Sequence, residues 1–148
     1  MPQPLAVSAR CVPAALAVLL AAGAMGCDAL ILVDGWVVES QGPKSGYTPY
    51  ASPPPKPERL LEAAGIEIEL WSPDRKYKLC TSRAWQGKFD AGYTGWPYRQ
   101  MLLRVRAPGY LPLETEIPVA PRTRTYEGDY GIIALVPKPK PETPPVAP

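Results

Sequence analysis

Apolar residues recur at every second position in four segments of this chain, and segments patterned that way are committed to sheet. Ile66, Ile68 and Leu70 alternate with Glu67, Glu69 and Trp71, and Tyr77, Leu79 and Thr81 alternate with Lys76, Lys78 and Cys80. Met101, Leu103, Val105 and Ala107 alternate with Leu102, Arg104 and Arg106, and Leu113, Thr115, Ile117 and Val119 with Glu114 and Glu116. Successive strand side chains point to opposite faces, so each segment gains a face to bury and a face to leave in water. Leu30 to Glu39 and Gly131 to Val136 are continuous apolar runs of the kind a central strand carries, and Lys88 to Tyr93 is a weaker strand. The one helical segment expected is Glu58 to Ala64, two turns at most. Many short strands and almost no helix predict an all-β fold, a single small antiparallel β-sandwich.

One hairpin has a readable register. Ser72-Pro73-Asp74-Arg75 has turn chemistry, with proline pre-set for the first central position. If Ser72 faces Arg75, then Glu69 faces Lys78, Ile68 faces Leu79 and Leu70 faces Tyr77. Opposite charges meet on one side and apolar groups on the other, at about 0.2–1 kcal/mol per pair. A one-residue slip would turn the apolar set to water.

Proline divides the chain. From Gln41 to Pro57 six prolines stand among Gly and Ser. Such a stretch cannot keep donating ladder hydrogen bonds and is expected as a long exposed loop or linker. The end has the same character and reads as a disordered tail. The expected organisation is a signal peptide over 1–26, an anchor site and first strand over 27–40, a proline-rich loop over 41–58, the rest of the sandwich over 59–137 and the tail over 138–148.

Thirteen mostly apolar residues, Val12 to Ala24, follow a single positive charge at Arg10 and lead into Gly26-Cys27. A short positive region, an apolar run of this length and a small-residue exit form a secretory signal, too short to span a bilayer as a stable helix. Ala24-Met25-Gly26-Cys27 resembles the lipobox of bacterial lipoproteins, with Ala24 where that family prefers Leu. The resemblance implies that Cys27 becomes the lipid-bearing first residue of the mature chain. Ordinary signal cleavage after Ala22-Gly23-Ala24 and a cytosolic apolar helix are the alternatives. Strand-like sequence begins near Leu30, so a lipidated Cys27 would seat the domain close to the headgroups, its acyl chains contributing about 0.8 kcal/mol per buried CH₂. Asp28, a sorting signal in some enteric bacteria, leaves the choice of membrane open.

Removing residues 1–26 leaves fifteen basic residues against fourteen acidic ones, a net charge of +1. That near-neutral mixture argues against a nucleic-acid surface. The chain has no His and no Asn, so the commonest general base and the usual zinc or copper ligand are missing, as is any N-glycan acceptor. Of three cysteines, Cys11 leaves with the signal and Cys27 takes the lipid. Cys80 is then expected to lack an intrachain partner and to occupy a half-buried strand position, with no disulfide in the chain.

Several motifs resemble, in order, the carboxypeptidase regulatory-like, transthyretin-like (prealbumin-like) β-sandwich. Val33 to Val38 resembles its opening strand and Gly65 to Leu70 its second. Thr81 with Gly87-Lys88-Phe89 resembles a Thr-Asp-x-x-Gly-x-Phe turn, Leu103 to Tyr110 a strand ending in Pro-Gly-Tyr, and Tyr130 to Leu135 the closing strand. The link at 41–57 is longer than that family's, and Ser82 and Arg83 stand where its turn carries acids. The resemblance implies a fold and an accessory, non-catalytic role, although fold does not determine function.

Trp85, Phe89, Tyr93, Trp96 and Tyr98 form the richest side-chain cluster, near Arg83, Lys88 and Arg99. Of these, Trp85, Tyr93, Trp96 and Tyr98 are the candidate binding residues, able to stack on sugars or dock a protein. Phe89 and one Trp are expected in the core, and Trp36 and Trp71 read as packing. Glu67 with Glu69, and Glu114 with Glu116, share strand faces, but their regular alternation reads as a solvated face opposite Lys or Arg. Asp90, Glu127 and Asp129 have no metal-ligand spacing, and Ser82 and Cys80 have no base to activate them. The expected function is a non-catalytic, membrane-anchored envelope lipoprotein, without cofactor or metal, that binds another envelope protein. The alternative is a carbohydrate-binding module using residues 85–98.

Overall fold

The computed structural model describes residues 29–121 and 128–141. Cys27, Asp28, the signal segment, Glu127 and the tail beyond Pro141 lie outside the described residues. The fold is all-β, eight strands in two four-stranded sheets, and no helix occurs among the described residues. Sheet A has the order β2-β8-β1-β5, built from β1 (Ala29–Glu39), β2 (Gly46–Tyr50), β5 (Lys88–Gly95) and β8 (Asp129–Leu135). Sheet B has the order β4-β3-β6-β7, built from β3 (Glu67–Trp71), β4 (Lys78–Arg83), β6 (Gln100–Arg106) and β7 (Leu113–Pro118).

Two-residue alternation governs the packing. In β1, Ala29, Ile31, Val33 and Val37 are buried, while Leu30, Leu32 and Asp34 are only half-buried. These inward residues meet Ile68 and Leu70 of β3, Phe89 of β5, and Met101, Leu103 and Val105 of β6 in one core. β4 and β5 lie in different sheets yet share a two-residue turn, in which Gln86 (φ 50°) and Gly87 (φ 74°) both adopt positive φ, the type I′ signature. The Pro-Gly-Tyr segment ties the far end together. The Tyr110 hydroxyl donates to Glu39 (3.0 Å), and the Leu111 amide donates to the Val136 carbonyl (2.8 Å).

The structure corrects several expectations. The sandwich is not wholly antiparallel, because β1 and β8 pair in parallel. β7 ends beside the start of β6, at the end of the sandwich where β1 begins. The chain then crosses to sheet A there, so β8 must run with β1. The proline-rich stretch contributes a strand. β2 pairs with β8 and keeps Pro49, which an edge strand tolerates because one of its rows of N–H groups has no ladder partner to serve. Farther on, Pro54 is buried and its carbonyl accepts from the Trp36 indole (3.3 Å). The expected helix over 58–64 is absent. Leu61 is drawn into the core there, and its amide donates to the Val37 carbonyl (2.8 Å).

The β3–β4 register also differs. Glu69 faces Thr81 and Leu70 faces Cys80, a shift of three residues from the expected pairing, with a bulge between Leu70 and Trp71. The turn is wider than four residues because Ser72 organises all of Ser72–Tyr77. Its amide donates to the Tyr77 carbonyl (2.9 Å), and its hydroxyl oxygen accepts from the Tyr77 amide (3.0 Å). An odd shift exchanges the two faces, so Tyr77 is thrown outward and Cys80 inward. Cys80 is buried and disulfide-bonded, which overturns the expectation of a chain without a disulfide.

The outer face of sheet B is a ladder of paired charges, as the Glu alternation suggested, but Glu69 is buried rather than solvated. Its carboxylate accepts from the Trp71 indole (2.9 Å) and from Lys78 (3.3 Å). Arg104 stacks over the Trp71 ring (4.4 Å) and bonds Glu114 (2.7 Å), which also meets Arg75 (2.9 Å). Burial pushes the Glu69 carboxyl up, but the Trp71 and Lys78 hydrogen bonds and the Lys78 and Arg106 charges outweigh it and hold it below the usual range. A carboxyl depressed on folding stabilises fully above its ordinary value of 4.5, and that contribution is withdrawn as pH falls through the folded value. Acid unfolding of Glu69→Gln, followed by circular dichroism, is therefore expected to show a shallower loss of stability below that value than the unsubstituted chain. An identical acid profile would refute the assignment.

Candidate functional site

The aromatic segment does not form one surface. β5 runs through it, placing Trp85 and Trp96 at opposite ends of the sandwich, roughly 25 Å apart by strand rise. Phe89 is in the core as expected, but neither tryptophan of the segment is: Trp85 is 79% and Trp96 69% exposed. Trp85 stands alone on the type I′ turn. Tyr93, Trp96 and Tyr98 come together at the other end.

That end is built by four neighbouring pieces of chain: the start of β1, the Ser72–Tyr77 turn, the 96–99 loop and the end of β7. Gly95 sets the geometry. With φ at 151° its missing side chain leaves room for the Tyr93 ring, whose hydroxyl oxygen would lie 2.4 Å from an added Cβ. The same hydroxyl accepts from the Trp96 amide (2.9 Å), fixing where the chain leaves the strand. Tyr93 and Tyr98 pack with ring centroids 6.0 Å apart and are partly buried against the core. They form a base rather than a contact face, and Trp96 stands exposed beside them.

Tyr77 completes the cluster, and its place there was not readable from sequence. Read as an inward strand residue, it is instead 62% exposed on the β3–β4 turn. Its neighbourhood with Tyr98 shows in the latter's phenol, which burial pushes up, with further contributions from Tyr93, Asp74 and Tyr77. The six-residue turn held by Ser72 is the local cause, and the short polar residue before Pro73 was its one sequence signal. Asp74 is exposed on the same turn, its carboxyl held low by the Ser72 hydroxyl and the Lys76 amide. Lys76 and Arg99 are exposed on the same two loops.

This arrangement offers two exposed aromatic side chains on a rigid base, with one carboxylate and two cations beside them. It can stack, accept hydrogen bonds and pair charge. The first residue of β1, Ala29, pairs with Gly95, so the chain enters the sandwich at this same end.

Elsewhere the surfaces offer less. Asp34 of β1 lies opposite Asp90 of β5, and its carboxyl is pushed up by burial and by Asp90, against the pull of Lys88. No group of three potential metal-ligating side chains occurs among the described residues. The outer edges of the sheets are partly occupied: β5 lies beside β4, with the Ser82 hydroxyl donating to the Asp90 carbonyl, and β2 lies against β7. No family model matches the chain, and neither a curated protein nor a solved structure does.

Proposed function

We propose that this chain is a non-catalytic binding module of a bacterial cell envelope, exported by its apolar leader and docking an envelope protein through the aromatic end of the sandwich. The observation that carries this reading is Trp96, exposed where its backbone amide is tied to the Tyr93 hydroxyl as the chain leaves β5, at the same end of the sandwich as the turn that exposes Tyr77. Exposed tryptophan and tyrosine rings are the side chains most enriched among interface anchors. The partly occupied sheet edges argue against docking by strand addition. The ordered resemblance to the transthyretin-like accessory domains supports a role without turnover.

A carbohydrate is the second reading, favoured by Asp74, a carboxylate able to accept from sugar hydroxyls next to Tyr77 and Tyr98. Lipidation at Cys27 and ordinary cleavage upstream of it would both deliver the sandwich to the envelope. They differ in whether Cys27 keeps its thiol.

Crosslinking in cells followed by co-purification tests the proposal. Trp96→Ala with Tyr77→Ala is expected to weaken capture of a stoichiometric envelope protein by about 2 kcal/mol, roughly thirtyfold, while Trp85→Ala retains it. Pulldown by isolated cell-wall polysaccharide, lost in the same double variant, would replace the protein reading with the carbohydrate one. Equal capture by all variants would remove this surface from consideration.

A further inference from the structure

We propose that the end of the sandwich opposite Trp96 docks onto an anionic phospholipid bilayer, with Trp85 entering the headgroup region among exposed lysines and arginines. A net charge close to zero conceals a marked polarity. The segments that meet at this end, residues 39–45, 55–67, 83–88, 106–112 and 136–141, carry eight lysines and arginines against four glutamates. The rest of the described chain carries five such cations against seven carboxylates. All eight cations at this end are exposed. Pairing sharpens the contrast. The four ion pairs among the described residues use Arg75, Lys76, Lys78 and Arg104, all from the other part of the molecule, and none of the eight closes one. Lys88 and Arg106 act on Asp34 and Glu69 only at longer range. Of the four glutamates, Glu39 already accepts from the Tyr110 hydroxyl, and Glu67 lies cross-strand between Arg83 and Arg106.

These segments are joined to one another. The Ala84 amide donates to the Ile66 carbonyl (3.0 Å) and the Lys138 amide to the Gly109 carbonyl (2.8 Å). Gly87 packs so closely on Leu60 that an added Cβ would lie 2.6 Å from the Leu60 Cβ. Trp85 stands out from this surface. Its backbone exchanges hydrogen bonds with Lys88 (2.8 and 2.9 Å) across the type I′ turn, and Arg83 and Lys88 flank it in sequence and in space.

A bilayer fits this arrangement better than a folded partner or a sugar. One convex ring with dispersed cations offers neither a recess for a protein side chain nor a platform for stacked sugar rings. A bilayer needs neither. Its phosphates are spread and mobile, indole rings settle among its headgroups, and an anionic leaflet attracts nearby Lys and Arg. Interfacial binding of this kind combines buried apolar area with electrostatic attraction. Export by the leader, proposed above, brings this end to such a surface, while the attraction itself does not depend on it.

The test mixes the full chain, expressed with its own leader and purified, with vesicles of brominated phosphatidylcholine, with and without phosphatidylglycerol. Bromine quenches an indole that enters the bilayer. Any acyl chain on Cys27 inserts in both kinds of vesicle alike, so a difference between them belongs to the sandwich. Tryptophan emission is expected to show a quench that depends on phosphatidylglycerol and is lost at about 1 M salt, where charges are screened beyond about 3 Å. Trp85→Phe is expected to remove that quench and Trp96→Phe to keep it. Lys56→Glu combined with Arg59→Glu and Lys138→Glu, three exposed sites outside the strands, should raise the vesicle concentration giving half the quench by about thirtyfold or more. Circular dichroism of each variant confirms that it is folded. Equal quenching by neutral vesicles, a quench that survives Trp85→Phe, or an unchanged half-point in the triple variant overturns the proposal. So does the absence of any quench, and retention on isolated anionic cell-wall polysaccharide would then assign the basic end to that ligand instead. Partner capture is read at Trp96 and Tyr77, so the two proposals fail separately.

Discussion

Gly35→Ala is expected to destabilise the fold severely. Gly35 lies in the middle of β1, between Phe89 of β5 and Gly131 of β8. A Cβ there would sit 1.8 Å from the Gly131 carbonyl oxygen and 2.9 Å from its carbon. The obstacle is backbone in a central parallel pair, which cannot retreat without breaking the ladder on both sides. Overpacking usually costs about 1–3 kcal/mol, and a clash with backbone belongs at or above the top of that range. Against a total stability of about 5–15 kcal/mol, that is a large fraction. Gly42→Ala is the control, since nothing lies within 4 Å of its added Cβ. Urea denaturation should show the control near the unsubstituted midpoint and Gly35→Ala with a far lower midpoint or no folded baseline. An unchanged midpoint for Gly35→Ala would mean that β1 and β8 are not paired here.

Phe89→Ala should be nearly as damaging. Phe89 is the chain's one phenylalanine and the largest fully buried side chain among the described residues, facing the core from β5. Deleting such a ring removes its burial and leaves a cavity, at about 3–5 kcal/mol. Trp96→Ala, seven residues along the same segment, should change stability by only about 0.5 kcal/mol or less, because its ring is already in water. The contrast matters for function. If Trp96→Ala melts the fold as Phe89→Ala does, loss of partner capture would report unfolding rather than a contact, and the docking proposal would lose its main test.

Phe89 was expected in the core and Trp96 among the binding candidates, but one tryptophan was also expected inside, and no period in this ring-rich segment said which. Parity separates them only once β5 is known to run from Lys88 to Gly95, which puts Phe89 on the inward face and leaves Trp96 beyond the strand's end. The β3–β4 hairpin shows the same limit. Its turn was legible from Pro73, but its width was not, because the Ser72 hydroxyl spends its hydrogen bond five residues on. β2 was hidden by its proline, which disqualifies a central strand and not an edge one.

What this chain's residues determined alone was local: two-residue alternation, the inward set of β6 and β7, the all-β class, and the punctuation between strands. These follow from the pleat, which acts on each residue and its immediate neighbours. Tertiary structure decided the parallel β1–β8 pair, the register at Leu70–Cys80, the separation of Trp85 from Trp96, and the disulfide state of Cys80. Each of those depends on which distant segments come to share a sheet or a core, and no period along one strand encodes its neighbour.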